Sequence, residues 1–293
     1  MTNEHTEKFK KILRDKAPKT ASDRMRYLLR ALRDLNYELS TDKLQEYIID
    51  LKEQSIYVAE HTAKALKLFI KHVIKDRNLY ESFKTPRATE EVDKEIPSPA
   101  EVRAVAKAIN WPPAKAYYCL LAESGLRPGE LFKLKINEID IEERTIKPKR
   151  ITETKRAYIA FFSKPLQKYL KEVYLPYREE FINKYAETMK YLLGSRAEEW
   201  KQLLFPFKES TIRATIYDAM DKVLGRRFKL YGLRTFFATY MSIKKVPGQI
   251  IDIIQGREPP KQFKILVKHY LAFTIEELRK IYDKANLTTL ENN

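Results

Sequence analysis

The chain has 293 residues, 44% of them hydrophobic, enough for two domains of ordinary size with real cores. Lys and Arg number 56 against 40 Asp and Glu, a formal net charge of +16. That excess fits a polyanionic partner, either nucleic acid or an anionic membrane surface. No apolar run approaches the about 20 residues of a membrane span. The first residues lack the shape of a signal peptide, so a cytoplasmic protein is expected. The single cysteine, Cys119, excludes an internal disulfide and a multi-cysteine zinc site.

In chain order, a helix is expected to open at Thr20-Ala21-Ser22-Asp23. Met25, Leu28, Leu29, Leu32 and Leu35 form its apolar stripe, and Arg24, Arg26, Arg30 and Arg33 lie off it. Leu44, Tyr47, Ile48 and Leu51 mark a second amphipathic helix. Val58 to Val73 mark a third, with Lys64, Lys67, Lys71 and Lys75 on its other face. Residues 1–83 therefore read as a small helical domain whose basic faces are expected to meet DNA. Residues 84–96 carry no apolar period and read as a linker. Ser98, Pro99 and Glu101 compose a capping box with proline in the first turn, which opens a second domain at 97–293.

In that domain Val102, Val105, Ala106 and Ile109 form a buried stripe, and Trp111-Pro112-Pro113 is expected to end the helix. A further helix, from about Lys115 to Glu123, holds Cys119 beside Leu120 and Leu121 as a buried, inert thiol. It runs into Ser124-Gly125-Leu126-Arg127-Pro128-Gly129-Glu130. Gly125 can stop one helix in the left-handed conformation and Pro128 can start the next, which holds Arg127 in a tight corner. Residues 138–141, 144–146 and 157–162 read as short strands, with Lys155 beside the turn before the last. Apolar spacing then predicts helices through Leu166–Tyr174 and Tyr185–Leu193, and again from Thr211 to Leu224. A buried helix follows Tyr231-Gly232-Leu233-Arg234. A short one over Ile250–Ile254 is stopped by Gly256, with Arg257 next. After His269-Tyr270, Thr274 and Glu277 cap a last helix. Its stripe of Leu278, Ile281, Tyr282 and Ala285 can pack on its own domain or on a neighbouring protomer. The expected fold is mostly α with a small antiparallel β-sheet in the second domain, the two domains forming a clamp on DNA.

The order of these features is more informative than any one of them. A helix-corner Arg is followed by a Lys beside a β-turn, an Arg at a buried helix start, an Arg after a helix-stopping Gly, and a Tyr. This order resembles the tyrosine recombinase, or phage-integrase, family. Asp252-Ile253-Ile254-Gln255-Gly256-Arg257-Glu258-Pro259, with His269-Tyr270, is very similar to the integrases of archaeal spindle-shaped viruses. The resemblance covers roughly residues 97–285. It implies that Arg127 and Arg234 are the two family arginines and Lys155 the strand-turn lysine. It places Arg257 at the second His position and makes Tyr270 the nucleophile. Two positions depart from the common pattern: Tyr231 stands where the first His of His-x-x-Arg is usual, and Arg257 where the second is usual. Tyr231 reads either as a packing aromatic or as a participant in proton transfer. Lys155 has the basic neighbours Lys147, Lys149, Arg150 and Arg156, which compete for its role.

The chemistry accounts for these residue types. Displacement at a phosphodiester builds charge on the non-bridging oxygens, which paired guanidinium donors stabilise. A phenol with a pKa of about 10 is a weak nucleophile, and neighbouring arginines favour its ionised form. A lysine can protonate the departing 5′ oxygen. The 3′-phosphotyrosine product stores the bond, so neither ATP nor another cofactor is expected. No carboxylate cluster suited to Mg²⁺ and no zinc ligand set is expected either. The implied protein is a site-specific DNA recombinase acting on double-stranded DNA attachment sites as a homo-oligomer, a tetramer. The alternatives are a type IB topoisomerase-like DNA-relaxing enzyme and a degenerate DNA-binding accessory protein.

Overall fold

A computed structural model describes residues 3–87, 95–148, 159–255 and 273–291. The chain divides into two compact units, Met1–Val92 and Asp93–Asn293, and the division falls within the stretch read as a linker.

The first unit is helical: α1 (Asn3–Ile12), α2 (Pro18–Asp34), α3 (Thr41–Gln54), α4 (Ile56–Phe69, continued by a π-turn over Ile70–Ile74) and α5 (Arg77–Glu81). Ser40 and Ser55 cap α3 and α4 by accepting from the main-chain N–H groups of Lys43 and Val58. The core sits where α2 and α3 pack on α4, around Leu28, Leu32, Leu44, Ile48, Leu66 and Phe69. The small Ala59 and Ala63 of α4 are buried there, which lets neighbouring backbones come close. Two readings change, and one helix carries no legible stripe. Helix α2 starts at Pro18 rather than Thr20, because the fixed φ of proline suits a first helical turn. Helix α1 has only Phe9 fully buried, set edge-on 5.5 Å from Phe69, too sparse a stripe to announce itself. Lys67 is not on an outer face: its Nζ donates to Tyr80 O and lies over the Tyr80 and Phe83 rings.

The second unit contains α6 (Pro99–Ala108), α7 (Pro112–Ser124), α8 (Pro128–Phe132), β1 (Ile139–Asp140), β2 (Thr145–Ile146), β3 (Ala160–Phe161) and α9 (Lys164–Tyr169). After a π-turn at Leu170–Tyr174 come α10 (Leu175–Leu193), α11 (Ala197–Lys201), α12 (Glu209–Leu224), α13 (Gly232–Ile243), α14 (Gly248–Gln255) and α15 (Ile275–Ala285). The fold is mostly helical with a three-stranded antiparallel sheet ordered β1-β2-β3. Ile139 pairs with Ile146, and Thr145 with Phe161. Eleven of the thirteen residues of α7 are buried, so it is the central helix, apolar on every face. Trp111 is its N-cap and Pro112 its first residue. The Trp-Pro-Pro stretch thus starts α7, while α6 has already ended at Ala108. The Ser98–Glu101 capping box is formed as expected, with Oγ and carboxylate exchanging bonds at 3.2 and 2.7 Å.

The structure shows where two apolar stripes pack. Along α10 only Arg178 is buried, and Tyr185, Tyr191 and Leu192 are exposed. Arg178 anchors that helix by donating to Lys201 O and Leu203 O. The stripe on α15 packs on its own domain rather than on a neighbouring protomer. Leu278, Tyr282 and Ala285 are buried in the core, the Tyr282 ring lies 5.7 Å from Phe161, and its hydroxyl donates to Glu123 O. Asp283 completes the attachment by accepting two bonds from Arg144, at 2.8 and 2.6 Å.

Candidate active site

Three of the segments singled out by sequence meet at Gly125. Gly125 ends α7 with φ +64°, the left-handed conformation that glycine tolerates. An added Cβ would lie 2.6 Å from Phe237 Cδ1 on α13 and 2.9 Å from the Gln255 amide on α14. Glycine is therefore required twice, by its dihedral angle and by the approach of two other helices. Arg234, in the first turn of α13, donates from Nη1 to Gly125 O at 2.6 Å. That carbonyl belongs to the C-terminal end of α7, where unsatisfied acceptors and the negative end of the helix dipole favour a cation. Gln255, the last residue of α14, donates from Nε2 to Arg234 O at 2.8 Å.

Arg127 takes the N-cap position of α8, two residues beyond Gly125. Its Nη1 donates to Glu130 Oε1 at 2.7 Å, and its main-chain N–H to Glu130 Oε2 at 3.2 Å. The Tyr117 hydroxyl donates to Pro128 O and fixes the corner from beneath. The two arginines differ in setting: the Arg127 side chain is 24% exposed, whereas Arg234 is 1% exposed. Tyr231, the N-cap of α13, is 53% exposed, which removes the reading of it as a core packing aromatic. Lys155, Arg257, His269 and Tyr270 lie outside the described residues.

The elements that lead towards those four residues are tied to the same end of α7. Gln255 directly precedes Gly256-Arg257 and is fully buried against Arg234 and Gly125. Glu123, two residues before Gly125, accepts from Ser163 N just after β3, and from Thr289 N and Oγ1 beyond α15. Burial pushes the Glu123 carboxyl above its ordinary range, and those hydrogen bonds pull against that shift. Cys119, one turn earlier, has its thiol pushed up to about 12 by burial, which makes it inert.

Sequence reasoning passed over Glu123, Glu130 and Gln255 as site residues. Glu130 was visible in principle, because an acid three residues after a helix-starting corner is capping-box spacing. Gln255 stood out only as a polar end to an isoleucine run. Among the described residues no group of three or more His, Cys, Asp or Glu is placed to hold a metal ion, and no helix is long and apolar enough to cross a membrane.

The model of the phage integrase family matches residues 98–261, more than half of the chain, and the chain belongs to that family. The match stops short of Tyr270. Among solved structures, lambda integrase bound to DNA is 16% identical with a TM-score of 0.63, covering 94% of this chain and 100% of that one. A lambda integrase tetramer bound to a Holliday junction is 15% identical with a TM-score of 0.63, covering 88% and 74%. The Tn1549 transposon integrase in complex with transposon right-end DNA is 13% identical with a TM-score of 0.60, covering 97% and 99%. At these identities the likeness shows a shared fold. No curated protein matches the sequence at a significant level.

Proposed function

We propose that this chain is a site-specific DNA recombinase of the integrase type, which cleaves and rejoins duplex DNA through a 3′-phosphotyrosyl intermediate. The observation that carries the proposal is the convergence at Gly125. Arg234 is bonded to its carbonyl, Gln255 is packed on it with Arg257 two residues further on, and Arg127 is two residues away. A guanidinium has five donors, so Arg234 can keep its bond to Gly125 while others reach a phosphate oxygen. Arg127, Arg234 and Arg257 would then share the charge that builds on the non-bridging oxygens. The Tyr270 phenol releases its proton to solvent, its oxygen attacks phosphorus and the P–O5′ bond breaks. Lys155 gives a proton to the departing 5′ oxygen. Religation runs the same steps in reverse, with the 5′ hydroxyl attacking and Tyr270 leaving, so no ATP enters. Tyr231, exposed at the start of the Arg234 helix, would then take part in proton transfer.

Within this assignment residues 1–83 form a DNA-binding domain, 84–96 a linker and 97–293 the catalytic domain. The partners are two DNA attachment sites, with a homotetramer assembled on them in the host cytoplasm. The likeness of Asp252–Pro259 and His269-Tyr270 to integrases of archaeal spindle-shaped viruses supports a role in integrating or excising a viral or plasmid genome. Incubation with end-labelled duplex in EDTA should yield a covalent protein–DNA adduct. Adduct formation that requires added Mg²⁺ would contradict the proposal.

A further inference from the structure

A cavity of about 740 Å³ opens in the second unit, lined by α6, the start of α7, α9 and the residues after α15. Five cations line it: Arg103 and Lys107 from α6, Lys115 from α7, and Lys164 and Lys168 from α9. Against them stand two acids, Glu172 and Glu291. Among the described residues none of the five cations makes an ion pair. Some cations elsewhere in the unit do pair with acids: Arg127 with Glu130, Arg144 with Asp283, Arg213 with Glu209, Arg226 with Glu101, and Arg227 with Asp221. Five cations gathered against two acids leave an excess of positive charge, and a bound anion relieves the repulsion among them.

The arrangement favours an anion with repeating charge. Arg103 and Lys107 are one helical turn apart, as are Lys164 and Lys168, so each helix offers a pair of cations about 5–6 Å apart at Cβ. Lys115 lies half-buried between the two pairs in sequence, and its Nζ is 5.9 Å from the centroid of the Tyr169 ring. A second copy of this chain carries the same +16 and is a poor occupant. A bilayer surface is flat and does not enter a cavity. A phosphodiester strand has both the repeat and the charge.

The cavity is also separate from the corner at Gly125. Lys115 lies in the first turn of α7 and Gly125 follows its last residue, ten residues or about 15 Å along the axis. We infer that this cavity is a second phosphodiester-backbone site, holding DNA that flanks the segment at the Arg127 corner. This rests on the recombinase proposal, since it requires a DNA partner.

The test compares the full chain with a Lys164→Ala/Lys168→Ala variant on a duplex longer than the reactive segment, measuring affinity across a salt series. Loss of two phosphate contacts should make the log–log salt slope shallower by about 1.8, at about 0.9 for each. A control variant at two exposed lysines outside the cavity, Lys190→Ala/Lys222→Ala, should keep the parent slope. A steep parent slope that the cavity variant leaves unchanged would overturn the second site and leave DNA binding intact. A flat parent slope would remove both the second site and the recombinase proposal. Calorimetric titration with ATP and with inorganic phosphate forms the other arm. Tight binding of either, abolished in the cavity variant while the DNA slope holds, would assign the cavity to a free phosphate ligand and overturn the DNA site.

Discussion

Gly125→Ala should destabilise the second unit by about 2–5 kcal/mol. Two costs contribute. At φ +64° an L-residue is strained by about 1–2 kcal/mol. The new methyl would also lie 2.6 Å from Phe237 Cδ1 and 2.9 Å from Gln255 Nε2, and overpacking of this kind costs about 1–3 kcal/mol. Neither neighbour yields easily: Phe237 is fully buried, and the Gln255 amide is bonded to Arg234 O. Two other glycines separate the costs. Gly225→Ala has the same φ of +64° with nothing within 4 Å, so it should carry the backbone cost alone. Gly129→Ala has open space and no positive φ, so it should be neutral or slightly stabilising. Both tryptophans, Trp111 and Trp200, are in the second unit, so their fluorescence in urea follows that unit. With an m-value of about 2 kcal/mol/M, the midpoint should fall by about 1–2.5 M for Gly125→Ala. If Gly125→Ala and Gly225→Ala agreed within about 0.5 kcal/mol, the crowding at the corner would be refuted.

Two further outcomes concern charge and chemistry. The Glu123 carboxyl is raised in the folded unit above its ordinary 4.5, so the folded state holds that proton to higher pH than the unfolded state does. Its contribution to stability therefore declines as pH rises from about 4.5 towards the folded pKa. Glu123→Gln should remove that decline, so the difference between parent and variant in urea midpoint should change with pH; a constant difference would show that Glu123 does not titrate there. Lys155→Ala should slow cleavage of ordinary DNA far more than cleavage of DNA with a 5′-bridging sulfur, because a thiolate leaves without a proton. Equal slowing on both substrates would move the general acid to another residue, with Lys149 the next to replace.

Local signals carried most of what the sequence revealed. The capping boxes at Ser98 and Thr274, the left-handed stop at Gly125 and the proline start at Pro128 each depend on residues within three or four positions, and each is formed. The strands at Ile139, Thr145 and Ala160 followed from short β-prone runs between turns. What stayed hidden depends on partners far along the chain. The α15 stripe could have packed either way until Tyr282 was seen to reach Glu123, 159 residues away. Lys67 reads as one more surface lysine until α5 brings Tyr80 and Phe83 to it. Tyr185 and Leu192 have apolar side chains at helical spacing, yet nothing in that spacing says whether a neighbour covers them. Arg127 and Arg234 were picked out by order alone. Their meeting at Gly125 needs the packing of α7 against α13, which no spacing encodes.

The central claim is that Tyr270 is the nucleophile of a DNA strand exchange. It is tested most directly by comparing the parent and Tyr270→Phe on end-labelled duplex, following both DNA binding and covalent adduct. The substitution removes one oxygen and leaves every basic side chain in place. The variant should bind DNA like the parent and form no adduct. An adduct of parental yield from Tyr270→Phe would contradict the account and move the nucleophile to another of the 18 tyrosines.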